Sequence, residues 1–161
     1  MGNRTLIITF FMGAWIALVT TELLEATIIP VSLVFVIWAL VGLIGTLCFR
    51  GRIDGRLWGQ VVYYIAVLGS PIVYAGLATN YYLADENVVT TIVPISEIQQ
   101  QGRSSRGRCV EPAVRINYHG TEKSFAYPCG TDFTGYKSLR ITVSRGYFNY
   151  PIIRDYELSS E

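Results

Sequence analysis

Three long stretches of this chain, residues 5–21, 26–49 and 57–84, hold no Asp, Glu, Lys or Arg, and beyond residue 84 the pattern changes to short segments in which apolar and polar side chains alternate. A hydrocarbon core about 30 Å thick needs about 20 apolar residues of helix. Runs of 17, 24 and 28 uncharged residues bracket that length, so the pattern predicts three membrane-spanning helices, near 5–23, near 30–49 and within 57–84.

Few residues separate the first two runs. Pro30 falls at the first turn of the second helix, where a missing N–H costs nothing, and the spacing predicts a tight helical hairpin turning at 24–29. Ala39, Gly42 and Gly45 give the second helix a small-residue face suited to packing on the first or third helix or, alternatively, on a partner subunit. In the third run aromatic residues mark both ends, Trp58, Tyr63 and Tyr64 at one and Tyr81 and Tyr82 at the other. From Tyr63 to Tyr82 is about 28 Å at helical rise, the thickness of a hydrocarbon core, and such residues favour the two membrane interfaces. Pro71 interrupts this helix, so a local distortion is expected at Gly69-Ser70-Pro71, with the Ser70 hydroxyl able to reach a freed carbonyl.

Past Asp85-Glu86 the alternation and the abundance of Val, Ile, Thr and Tyr predict antiparallel strands. The first covers 88–98 and contains Pro94. The segment 99–108 has no apolar period and reads as an exposed loop. In 113–119, Val114, Ile116 and Tyr118 share one face; a turn at His119-Gly120-Thr121-Glu122 leads into 123–128, with Phe125 and Tyr127 inward. Leu139, Ile141 and Val143 alternate in 138–144, and Ser144-Arg145-Gly146 closes a second hairpin into 147–158. Tyr147, Phe148, Tyr150 and Tyr156 are expected in the core of this sheet, any left exposed meeting lipid or another subunit. The fold class is therefore a membrane α-helical region of three transmembrane helices, 1–84, plus a small all-β antiparallel extracytoplasmic domain, 85–161.

Composition adds orientation. Residues 1–84 carry Arg4, Arg50, Arg52 and Arg56 against Glu22, Glu25 and Asp54. Lys and Arg near helix ends are retained on the cytoplasmic side. Arg4 and the 50–56 loop then lie inside, the Glu22–Glu25 turn outside, and the tail outside as well. The tail holds nine basic and nine acidic residues, which gives no support to a polybasic surface for nucleic acid. The expected location is integral to a membrane, the bacterial inner membrane, with a cytoplasmic N-terminus and a periplasmic or extracellular C-terminal domain. The first run lacks a small-residue cleavage site at 20–26, so it reads as a retained anchor rather than a signal peptide. Leu6 stands where a myristoylation motif wants Ser or Thr.

Cys109 precedes one strand of the first hairpin and Cys129 follows its partner, so antiparallel pairing brings them together at the open end of that hairpin. A structural disulfide is expected, consistent with an oxidising compartment. Cys48 ends the second helix and reads as a small apolar residue. His119 is the one histidine, beside a turn, and no H-E-x-x-H, C-x-x-C, P-loop or G-x-G-x-x-G arrangement occurs. Asp132, Asp155, Glu111 and Glu157 have no spacing that forces two carboxylates together. The expectation is no enzyme, no catalytic or metal-binding residues and no cofactor. Arg103, Arg106 and Arg108 form the one local basic cluster and are candidate contacts for an acidic partner or lipid headgroups.

The pattern suits a non-catalytic accessory or interaction subunit of a membrane complex, its partners being membrane lipids and other membrane-protein subunits, with no nucleic acid. A small transport or channel component is the alternative, weakened because no charged residue lies at mid-membrane. A membrane-anchored binding or immunity protein that captures a ligand with its tail is a third reading.

Overall fold

The computed structural model describes residues 3–49, 57–100, 102–103 and 109–160. Its contacts divide the chain into two units, Met1–Ala84 with Gly146–Tyr150, and Asp85–Arg145 with Pro151–Glu161.

The first unit is built on three helices long and apolar enough to cross a membrane: α1 (Asn3–Ala26), α2 (Val31–Cys48) and α3 (Leu57–Tyr82). α1 runs further than the apolar run alone suggests because Leu23-Leu24-Glu25-Ala26 contains only good helix formers. Thr27 closes it: its hydroxyl donates to the Leu23 carbonyl at 2.8 Å, and the residue is buried. Pro30 is the N-cap of α2 rather than part of its first turn, with extended backbone (φ −60°, ψ 117°) and its carbonyl accepting from the Leu33 N–H at 3.0 Å.

The distortion expected in α3 is a π-helical turn, Ile65–Gly69. Pro71 has no N–H to give and its ring crowds the carbonyl four residues back. The helix widens just before it, so that the Ser70 N–H reaches back five residues to the Ile65 carbonyl, with the Ser70 hydroxyl at 3.5 Å from the same oxygen.

Despite their short connection, α1 and α2 do not form a tightly packed hairpin; among the described residues their backbones come close at few points, and each packs on α3. The small residues explain why. At Gly13 an added Cβ would collide with the Ala66 carbonyl, and at Gly42 with the Ile65 side chain, so both helices approach α3 closely at the π turn. α2 lies mainly along the part of α3 up to that turn, α1 mainly along the part beyond it. Thr9 and Tyr63 join α1 to α3 through their hydroxyls at 2.6 Å. Leu23, Val34, Val73 and Leu77 form the buried core toward the other end, with Trp38, Tyr74 and Tyr81 packed around it.

The second unit is a five-stranded antiparallel sheet curved into a half-barrel: β1 (Val88–Gln99), β4 (Ala113–Tyr118), β5 (Thr121–Ala126), β6 (Ser138–Arg145) and β7 (Pro151–Ser159), in the order β5-β4-β1-β6-β7. The remaining two strands, β2 (Gly102–Arg103) and β3 (Cys109–Val110), pair with each other, so the segment 99–108 read as all loop contains one strand of a short ladder whose partner lies just past it. β1 is central because it serves two partners. Val88 to Pro94 pair with β6 and Ile95 to Gln99 with β4, and the change of partner coincides with Pro94 and a bulge between Ile95 and Glu97. Proline in a central strand is tolerated at such an irregularity, where the ladder is already broken.

Val114 and Ile116 on β4 and Leu139, Ile141 and Val143 on β6 are buried on the inner face as their alternation requires, joined by Val93, Phe125 and Ile152. The β4–β5 hairpin closes through His119 (φ 49°) and Gly120 (φ 82°), two successive left-handed residues that match the strand twist. On the other face Arg115–Glu97 (2.7 Å) and Arg140–Glu157 (3.1 Å) are cross-strand ion pairs.

Candidate functional site

Among the described residues, both units present concave surfaces. In the helical unit the separation of α1 from α2 leaves an open apolar groove of about 590 Å³ floored by α3. Its walls are Phe10, Ala14 and Ala17 from α1 and Phe35, Trp38 and Ala39 from α2; Ala66 and Ser70 lie on its floor. The small residues here stand at i, i+4 spacing, Gly13-x-x-x-Ala17 on α1 and Ala66-x-x-x-Ser70 on α3, a signal present in the sequence that attention to Ala39, Gly42 and Gly45 passes over. Of those three, Gly42 and Gly45 are buried against α3, while Ala39 is exposed in the groove wall. Trp38 packs beside Gly69, and its enclosed indole N–H has no hydrogen-bond partner among the described residues.

In the sheet unit the edge strands β5 and β7 meet through aromatic side chains. Phe125 lies 4.6 Å from Tyr156 between ring centroids, and Tyr127, just past β5, meets Tyr156 at 5.8 Å and Phe133 at 5.5 Å, both edge-on. Burial of the Tyr127 phenol, aided by the neighbouring Tyr156, pushes its pKa up to about 12. Phe133 also lines a notch of about 370 Å³ with Ile98, Gln100, Thr131, Asp132 and Thr134. The Asp132 carboxylate accepts the Thr134 N–H at 2.8 Å, and hydrogen bonds from the Thr134 side chain and backbone hold its pKa below the usual carboxylate value. Asp132 is thus committed to shaping its own loop.

Cys109 and Cys129 form the disulfide, bridging β3 to the segment after β5. This agrees with an oxidising compartment. Nearby, the Tyr127 N–H donates to the Pro112 carbonyl at 2.8 Å, continuing the β4–β5 pairing toward the bridge. Arg103 lies in β2, whereas Arg106 and Arg108 lie outside the described residues. His119 is exposed at a hairpin tip, packed edge-on against Tyr118, and Glu157 is paired with Arg140. Among the described residues no group of three His, Cys, Asp or Glu side chains is placed to hold a metal ion. Cys48 is free and exposed at the end of α2.

No family model, curated protein or solved structure matches this chain. Its function therefore has to be argued from its own surfaces. Asn80 of the helical unit, which the sequence does not single out, is 1% exposed and spends both ends of its amide on the Gly146–Tyr150 segment: the Phe148 N–H donates to its Oδ1 at 2.9 Å, and its Nδ2 donates to the Tyr150 carbonyl at 3.1 Å. An Asn near the end of an apolar run gives no sequence signal that distinguishes this role from simple exposure.

Proposed function

We propose that this chain is a non-catalytic accessory subunit of a membrane protein complex, its three helices crossing the bilayer with the N-terminus and the 50–56 loop on the cytoplasmic side and the sheet unit on the far side, in the periplasm of a bacterium. The observation that carries the reading is the groove between α1 and α2. Within lipid, covering apolar surface brings no hydrophobic gain, and helices associate where small residues let backbones approach and polar groups find partners. Ala14, Ala17 and Ala39 supply such walls. A helix from another subunit suits the space between them. The half-barrel, with its disulfide, would add a folded surface for contacts outside the cytoplasm.

Purification of the full chain in mild detergent should yield stoichiometric membrane-protein partners, and Ala39→Trp, which fills the groove without touching the glycines that face α3, should release them while leaving the melting temperature nearly unchanged. Recovery of a lone monomer from native membranes, or partners retained equally by Ala39→Trp, would count against this role.

A further inference from the structure

The segment Gly146–Tyr150 belongs to the helical unit and is held there by Asn80 of α3. Besides the two amide bonds, the Tyr147 N–H donates to the Asn80 backbone carbonyl at 3.2 Å. The segment is also closed on itself: the Gly146 N–H donates to the Tyr150 carbonyl at 3.1 Å, the Asn149 N–H to the Gly146 carbonyl at 2.9 Å, and Asn149 takes a left-handed conformation (φ 67°) that Asn tolerates. Gly146 has no room for a side chain, since a Cβ would collide with the Asn80 amide. What this rigid turn presents is aromatic. Tyr147 is 60% and Phe148 50% exposed, although their sequence reads as core.

Their level along the helix is fixed by the residue that holds them. Asn80 directly precedes Tyr81 and Tyr82, the aromatic pair that ends α3, and Tyr82 and Leu83 are themselves exposed. Four exposed apolar or aromatic side chains, Tyr82 and Leu83 at the helix end and Tyr147 and Phe148 on the turn that Asn80 holds, thus lie toward the same end of α3, beyond the buried Leu77. Amphipathic aromatic rings collect at the boundary between headgroups and acyl chains.

We propose that Tyr147 and Phe148 are a membrane-interface anchor: the turn clasped by Asn80 inserts their rings into the outer lipid boundary, completing the aromatic belt begun by Tyr81 and Tyr82. The occupant of this surface is lipid, and the inference rests on the three helices spanning a bilayer. Insertion of a loop rather than a helix end is feasible here because the backbone N–H groups of Tyr147, Phe148 and Asn149 are all bonded within the protein.

The test uses two full-length single-tryptophan proteins in vesicles. One retains Trp15, on the exposed face in the middle of α1, with Trp38→Phe and Trp58→Phe; the other carries Phe148→Trp with Trp15→Phe, Trp38→Phe and Trp58→Phe. Lipids brominated near the headgroup should quench the indole at position 148 several-fold more strongly than lipids brominated near the chain end, with emission blue-shifted from that of a water-exposed indole, and Trp15 should show the reverse preference. Red emission at position 148 that responds to aqueous iodide and not to bromolipid would overturn the anchor while Trp15 quenching upholds the spanning helices. Blue emission unaffected by either quencher would assign the turn to a protein partner and equally overturn it. Loss of bromolipid quenching at both positions would remove the spanning reading and the anchor together.

Discussion

Replacing Tyr127 by Phe is expected to change the alkaline stability of the sheet unit much more than its stability at neutral pH. The Tyr127 hydroxyl is enclosed and has no hydrogen-bond partner among the described residues, while its ring is gripped by Phe133 and Tyr156. Removing the oxygen leaves those ring contacts intact, so at pH 7 the variant should be as stable as the parent or about 1 kcal/mol more so, the cost of an unpaired buried hydroxyl being removed. Above pH 10 the two diverge. In the unfolded chain the phenol ionises at its ordinary value of 10.0, whereas in the folded protein burial, and then the nearby Tyr156, hold it protonated to about 12. Between those values the unfolded state sheds a proton that the native state keeps, so unfolding is favoured as pH rises. The contribution is fully present below pH 10, falls through the window from about 10 to about 12, and is gone above it. Two pKa units correspond to about 2.7 kcal/mol, and because the ring is only partly enclosed, screening brings the expected loss to about 2 kcal/mol. Urea unfolding of the full chain in detergent, followed by near-ultraviolet circular dichroism at several pH values, measures it, and the difference in tyrosinate absorbance between parent and Tyr127→Phe isolates the group itself. Parallel stability curves across the window, or a difference titration centred near 10, would refute the reasoning.

The disulfide closes a 20-residue separation, for which the loss of loop entropy in the unfolded chain predicts about 3 kcal/mol; both cysteines are exposed, so mild reductant should lower the urea midpoint of the sheet transition, and an unchanged midpoint would contradict this. Gly13→Val drives a side chain into the Ala66 carbonyl and should destabilise the helical unit by at least about 2 kcal/mol in detergent melts, whereas the same change at Gly59, with open space around it, should cost under about 1 kcal/mol. Asn80→Ala leaves the Phe148 N–H unpaired and removes one of the two donors to the Tyr150 carbonyl, and it should speed amide exchange at residues 147–149 well before any global loss of structure.

Much of this architecture is legible in the sequence because its signals are local. Uncharged runs mark α1, α2 and α3, alternation marks β4 and β6, and the position of Cys109 and Cys129 around one hairpin marks the bridge. The remainder depends on contacts distant in sequence. Nothing local in β1 says that it lies between β4 and β6, or that Pro94 is the point at which it exchanges one for the other. The short α1–α2 connection suggests mutual packing, yet Gly13 and Gly42 both turn to α3, and the groove follows from that choice. Tyr147 and Phe148 look like core by composition because apolar character does not reveal which medium receives it. The Arg106 and Arg108 part of the basic cluster lies outside the described residues, and Arg103 is seen only as a residue of β2.

The π turn in α3 has a consequence for how one helix can be shared. A π turn accommodates one residue more than an α turn, and one residue is about 100° of rotation about the helix axis. The stretch from Leu57 to Tyr64 and the stretch from Ser70 to Tyr82 are therefore out of phase, like two gears keyed differently on one shaft. The first stretch packs on α2 and the second mainly on α1. Deleting a single residue from 65–69 would bring the stretches back into phase and swing the face carrying Val73, Leu77 and Asn80 away from its neighbours, so the length of that turn, more than any side chain in it, sets where everything beyond it faces.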